Sequence, residues 1–158
     1  MATKYEYYDV AVTGGYYIYG ANWYFQTFTV GNVGSNVPHY VSSIKLDLSK
    51  VGSPTATLTV SIRAVDGDSK PTGSDLCSGT LDTSTLTTSQ VEYEIPVTGS
   101  PMLQTSTKYA IVVKCPSAID GAAPRWWAKG TGNSYAGGQW GYSSDSGSTW
   151  TTDSSQDM

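Results

Sequence analysis

The sequence predicts an all-β fold in which two antiparallel sheets pack face to face as a sandwich, jelly-roll-like in outline. Three observations carry this. Short stretches alternate apolar and polar residues with period two, and none sustains a helical period. Turn formers punctuate them: Val-Gly-Ser-Pro at 51–54, Asp-Gly-Asp at 66–68, Lys-Pro-Thr-Gly at 70–73 and Thr-Gly-Ser-Pro at 98–101. Charged residues make up 14% of the 158-residue chain against 12% aromatics, which excludes a coiled coil or a solvated helical bundle, since both need Glu, Lys and Arg on wet faces. Eight or more strands, each dry on one side, would leave an apolar face in water as a single flat sheet, so two packed sheets follow.

Taken in order, residues 1–22 are dense in Tyr, broken by Gly14, Gly15 and Gly20, and read as an N-terminal arm or an edge hairpin; residues 23–158 read as the sandwich domain. Residues 23–30 (Trp-Tyr-Phe-Gln-Thr-Phe-Thr-Val) form the first strand. Within 41–48, Ile44, Leu46 and Leu48 face one way and Lys45 and Asp47 the other. The alternation is cleanest in 57–64, with Leu58, Val60, Ile62 and Ala64 inward and Thr57, Thr59, Ser61 and Arg63 outward. Val91, Tyr93 and Ile95 repeat it around Glu92 and Glu94. Residues 109–113 (Tyr-Ala-Ile-Val-Val) are apolar throughout and predict a central strand covered on both faces. Shorter strands are expected at 125–128, 139–143 and 149–152. The predicted core is Leu58, Val60, Ile62, Ile44, Leu46, Tyr109, Ile111 and Val113.

Charge and patterning narrow the function. The net charge is -4 and the 9 basic residues are scattered, so there is no cationic stripe to neutralise a phosphate backbone and no nucleic-acid partner is expected. The absence of an 18-residue apolar run and of a signal-type N-terminus predicts a soluble chain with no membrane insertion, outside the general secretory route. Cys77 and Cys115 allow at most one disulfide. Cys115 ends an apolar run and Cys77 follows Leu76, which suits buried free thiols, a single bridge being the alternative.

Catalytic and metal chemistry is thin. His39 is the only histidine and sits in a predicted loop, a poor base for a Ser/His/Asp or Cys/His machine. Zinc lacks both a Cys-x-x-Cys and a His pair. Asp66 and Asp68, flanking Gly67, are weak candidate calcium ligands, with a solvated turn as the favoured reading, so no cofactor is expected. Glu92 and Glu94 alternate outward with no apolar pocket to raise a pKa, unlike a glycosidase pair. The aromatics carry the functional signal instead. Trp126, Trp127, Tyr135, Trp140 and Tyr142 crowd a segment of Gly, Ser and Asn with few aliphatic residues to bury them, and form a candidate ligand-binding platform for a sugar face or a protein pocket. The equal alternative is that they clamp long loops in a Gly-rich fold.

The segments Gln26-Thr-Phe-Thr, Val41-Ser-Ser-Ile-Lys-Leu, Thr59-Val-Ser-Ile-Arg, Lys70-Pro-Thr-Gly-Ser-Asp-Leu and Thr107-Lys-Tyr-Ala-Ile-Val-Val, followed by Trp126-Trp127, resemble the choice-of-anchor R type of β-sandwich module from about Trp23 onward. Such modules sit in bacterial and archaeal surface proteins and in phage or phage-like structural proteins, with no catalytic residues assigned. The resemblance therefore implies display or binding and not a reaction. A second stretch, Ser143-Ser-Asp-Ser-Gly-Ser-Thr-Trp150, is similar to the Asp-box hairpin of sialidase propellers, a structural turn built on Ser143, Asp145, Gly147 and Trp150. A sialidase would need several blades and an arginine cluster, whereas this chain has only Arg63 and Arg125.

Modules of the resembled family continue from an Asp-Met or Asp-Phe pair, here Asp157-Met158, into a short apolar strand that closes the sandwich. Without that strand, the open edge is expected to be completed by the Tyr-rich N-terminal arm or by a neighbouring subunit. The functional expectation is a non-catalytic structural or display module on a virion or extracellular surface, such as a capsid decoration or tail-associated protein. Its partners would be neighbouring subunits in a homo-oligomer or lattice. The alternative is a carbohydrate-binding module that recognises a cell-surface polysaccharide through the aromatic platform.

Overall fold

A computed structural model of the chain describes residues 3–8, 11–99, 101–129, 135–153 and 157–158. Its strands are β1 (Gly14–Tyr17), β2 (Trp23–Thr29), β3 (His39–Tyr40), β4 (Ser43–Val51), β5 (Thr57–Val65), β6 (Pro71–Asp82), β7 (Val91–Pro96), β8 (Met102–Leu103), β9 (Lys108–Lys114), β10 (Ala123–Ala128), β11 (Trp140–Ser143) and β12 (Thr151–Asp153). They pair antiparallel throughout. One sheet has the order β1-β10-β4-β7, the other β12-β11-β2-β9-β5-β6, and β3 and β8 form a separate two-stranded ribbon. The predicted two-sheet sandwich is the observed fold.

The period-two strands bury the expected faces. Ile44, Leu46 and Leu48 of β4, with Ile95 of β7 and Trp126 of β10, meet Leu58, Val60 and Ile62 of β5 and Tyr109 and Val113 of β9 in one core. All eight predicted core residues belong to it, seven buried and Ile111 half-buried against them. The apolar β9 lies between β2 and β5, and its other face is covered too. Ala110 and Val112 form a second cluster with Phe25, under Trp23, Val65 and Trp150. Both cysteines are free and buried, and burial pushes their thiols up in pKa.

Three features depart from the sequence reading. Ala64 is exposed, not inward. The register of β5 on β6 slips after Ile62, which faces Cys77 whereas Ala64 faces Thr72, so the core-facing alternation ends at Ile62. The 12-residue β6 begins at the Lys-Pro-Thr-Gly stretch read as a turn. As an edge strand it tolerates Pro71 at its first position and a Gly, Ser and Thr composition that carries little strand signal. Its alternation still buries Cys77 and Gly79, and a Cβ on Gly79 would lie 2.1 Å from the Pro96 carbonyl oxygen, so glycine permits this approach of β6 to β7. His39, read as a loop residue, is buried in β3.

The N-terminal stretch supplies one edge strand, not a hairpin. Tyr16 and Tyr17 of β1 face Trp126 and Arg125 of β10, so this chain itself completes that edge of the four-stranded sheet. Near the C-terminus, Asp157 makes an antiparallel bridge to Lys129, just past β10; residues 154–156 lie outside the described residues.

Leu58→Ala is expected to cost about 2–5 kcal/mol, the usual result of emptying a packed leucine site. Ala64→Ser at the slipped register should change stability by less than about 0.5 kcal/mol. Urea unfolding of the two variants checks both, and equal losses would contradict the observed register.

Candidate functional site

The five platform residues do not form a platform. Trp126, Tyr135 and Trp140 are 2%, 5% and 4% exposed, Trp127 is half-buried, and Tyr142 alone reaches 39%. The reason lies in the composition of the segment: Gly, Ser and Asn supply no aliphatic bulk, so the rings themselves fill the space between the sheets. Tyr16 of β1 stacks on Trp140 of β11 at 4.6 Å and on Tyr24 of β2 at 5.2 Å, and Trp140 lies 6.3 Å from Tyr142. This aromatic seam closes one side of the sandwich. Burial, assisted by Tyr19, Tyr16 and Tyr142, pushes the Tyr24 hydroxyl up to about 12. Trp126 and Trp127 do point to opposite faces, as their adjacency on a strand requires.

The Asp-box-like turn is a folding device. The Ser143 hydroxyl donates to Asp145 Oδ1 at 2.7 Å and accepts from the Gly147 N–H at 2.8 Å. Asp145 also accepts from the Thr149 N–H at 2.8 Å and the Thr149 hydroxyl at 2.6 Å. Those bonds from Thr149, then Ser143, bring the Asp145 carboxyl down to about 2. Gly147 has φ of 83°, and a Cβ there would stand 2.8 Å from the Trp23 ring. The turn thereby sets Trp150 edge-on to Phe25 at 5.2 Å, covering the outer cluster of the six-stranded sheet.

The remaining candidates are held by local partners. Asp66 Oδ1 accepts from the N–H groups of Asp68 and Lys70, both at 2.9 Å, which binds it to its own hairpin turn. Among the described residues, no three His, Cys, Asp or Glu side chains are grouped as metal ligands would be. His39 stacks on Tyr5 at 3.7 Å, with Nδ1 3.0 Å from the Val37 carbonyl oxygen. Glu92 and Glu94 share Lys45 at 2.9 and 3.9 Å in exposed pairs of little energetic weight.

Sequence reasoning missed a charge cluster on the outer face of the six-stranded sheet, where Arg63 and Lys114 flank Asp75 at 2.6 and 3.6 Å. Burial works to raise the Asp75 carboxyl, but the Arg63 hydrogen bond and the two cations outweigh it and hold it below the ordinary value. Arg63 and Asp75 lie 12 residues apart on the paired strands β5 and β6, and the pairing of β9 with β5 brings Lys114 to them from farther along the chain.

Two features among the described residues bear on a ligand or partner. One is a cavity of about 670 Å³ at the open end of the sandwich, lined by Phe28, Ile111, Leu46 and Trp126 and covered by residues 3–8. Gln26 and Asp157 form a buried polar tie at its wall. Gln26 Nε2 donates to Asp157 Oδ1 at 3.1 Å, the Tyr135 N–H donates to Asp157 Oδ2 at 3.0 Å, and the Met158 N–H donates to Gln26 Oε1 at 2.9 Å. Glu6 fastens the covering segment by accepting from the N–H groups of Gly31 and Val33 and from the Tyr135 hydroxyl. Burial, the Glu6 charge and its hydrogen bond push that hydroxyl up to about 12, against a bond to the Thr29 backbone that lowers it.

The other is the outer face of the four-stranded sheet, where the Arg125 guanidinium lies over the rings of Trp127 and Tyr17. The i, i+2 spacing of Arg125 and Trp127 on a strand signals a shared face, but the arrival of Tyr17 is decided by topology. Comparison with protein-family models, with curated proteins and with solved structures returned no match.

Asp145, with its pKa depressed from 3.8 to about 2, stabilises the fold above the unfolded value, and that contribution is lost as pH falls from about 4 through 2. Asp145→Asn should flatten the fall of melting temperature across that window, and a fall as steep as that of the unmodified chain would remove Asp145 as its cause. Gln26→Leu should destabilise by about 1–3 kcal/mol despite its added apolar surface, because it strands a buried carboxylate oxygen and an N–H. Denaturant unfolding checks this, and a stabilised variant would contradict the polar tie.

Proposed function

We propose that this chain is a non-catalytic structural or display module on the surface of a virion or comparable particle, held there by contacts with neighbouring copies. The observation that carries the reading is the attachment of residues 3–8 across the open end of the sandwich. The segment is fastened by the Glu6 carboxylate and by the stack of Tyr5 on His39, side-chain contacts over a cavity, whereas the strands of each sheet are joined by continuous ladders. An arm held by side-chain contacts in place of a ladder can seat on its own sandwich or on that of a neighbour, the exchange by which identical subunits become linked. The resemblance to surface and phage-like structural modules points the same way. So does the use of the aromatic rings as packing, which leaves the proposed sugar platform without its principal members.

The expected result is co-purification of the chain with particles at a fixed ratio to the main shell or tail protein. Glu6→Ala should lower particle occupancy and speed proteolytic trimming of residues 3–8, while the sandwich melts within a few degrees of the unmodified protein. A chain that never accompanies particles, and sediments as a monomer whether or not Glu6 is present, would defeat the proposal.

A further inference from the structure

The outer face of the four-stranded sheet carries a cation that meets no acid among the described residues. Arg125 is half-buried, its guanidinium carbon 4.1 Å from the Trp127 ring centroid and 5.3 Å from that of Tyr17. Trp127 is anchored by its indole N–H, which donates to the buried Ser49 hydroxyl at 2.9 Å, and Tyr17 stands opposite Arg125 in the β1–β10 register. A Cβ on Gly15, on the same face as Tyr17, would meet the Trp126 carbonyl oxygen at 2.4 Å and Arg125 Nε at 3.1 Å. The missing side chain therefore leaves the arginine stem its place across β1.

Arg125 Nε is buried without a hydrogen-bond partner, and among the described residues no carboxylate pairs with Arg125, although Arg63, Lys45 and Lys114 each have one. Burying one nitrogen of a guanidinium without an acceptor is costly. The flanking rings return part of that cost through their π faces but leave the in-plane N–H fork unanswered. A planar fork gripped between rings has the shape and charge to take a carboxylate in bidentate fashion. Lys45, on the neighbouring strand β4, is taken up by Glu92 and Glu94.

We propose that Arg125, Trp127 and Tyr17 bind the carboxylate of an acidic saccharide, a uronate or a sialate. Arg125 would grip the carboxylate, and the C–H face of the sugar would lie on the exposed part of Tyr17 or Trp127. A saccharide uses both halves of the site, the charged fork and the flat rings beside it, whereas a side-chain carboxylate of another protein would use the fork alone. The site is distinct from the platform expected from the sequence and shares only Trp127 with it. It does not rest on the particle reading, and either can fail without the other.

The test is affinity electrophoresis or titration calorimetry of the full chain with polygalacturonate, polysialate, fully methyl-esterified polygalacturonate and a neutral glucan. Binding to at least one acidic polymer is expected. Esterification should weaken uronate binding tenfold or more, as should Arg125→Gln for whichever acidic polymer binds; Arg125→Lys, which keeps the charge and loses the fork, should fall between. Raising salt to about 0.5 M should also weaken binding. Three results would each overturn the proposal: no binding to either acidic polymer, equal binding of polygalacturonate and its ester, or Arg125-dependent self-association with no effect of saccharide. The esterified polymer and the salt series use the unmodified protein, so the outcome stands even if a variant folds poorly.

Discussion

The centre of the six-stranded sheet has to be kept dry on both faces, and much of the remaining structure follows from how this is done. On the inner side the four-stranded sheet supplies Leu46, Leu48 and Trp126. On the outer side no second layer of strands exists among the described residues, yet Phe25, Ala110 and Val112 are fully buried. Trp150 and Trp23 cover them: the turn between β11 and β12, tied together by Ser143, Asp145 and Thr149, sets Trp150 in place, and Trp23 comes from β2 itself, its indole N–H donating to the Gly20 carbonyl. Gly141 completes the arrangement: a Cβ there would stand 2.6 Å from Phe25 and 2.2 Å from the Thr151 carbonyl oxygen. A local hairpin motif thus serves as the lid of a sheet whose strands come from distant parts of the chain.

The same scarcity of aliphatic bulk explains why tyrosine and tryptophan dominate the interior near β1 and β11. Their rings bury large apolar areas; the Tyr135 hydroxyl reaches a bond with Glu6 at the margin, whereas the indole nitrogen of Trp140 is buried without a partner. Burial raises the hydroxyls of Tyr24 and Tyr135 to about 12, favouring their neutral forms. Where polar side chains do enter the interior, as Gln26 and Asp157 do, they bond to each other and to backbone N–H groups, which meets the cost of burying them and ties the C-terminal residues to β2.

The two outer faces of the sandwich have consequently taken different characters. That of the six-stranded sheet is covered by the hairpin lid and carries the Arg63–Asp75–Lys114 cluster, in which two cations share one carboxylate. That of the four-stranded sheet ends in an edge strand from the N-terminal region, which brings Tyr17 beside an arginine that no acid among the described residues meets. The open end is covered only by a tethered segment. Both proposed roles, in assembly and in saccharide recognition, draw on the N-terminal region and the strand it pairs with.

By itself the sequence determined the fold class, most of the long strands and the identity of the core. Side-chain alternation is a local property of each strand, and Leu58, Val60 and Ile62 or Ile44, Leu46 and Leu48 have only one dry side to turn to. The doubly covered β9 was legible for the same reason, as was the Asp-box-like turn, whose bonds lie within eight residues. Edge strand β6 was not, because pairing on one side alone lets Gly, Ser and Thr stand where a central strand would need bulk. Nor was the fate of the rings: whether Trp140 meets solvent or Tyr16 depends on β1 arriving from more than a hundred residues away, and the same arrival places Tyr17 beside Arg125. Contacts between residues so distant in the chain are decided by which strands become neighbours, and local periodicity carries no information about that choice.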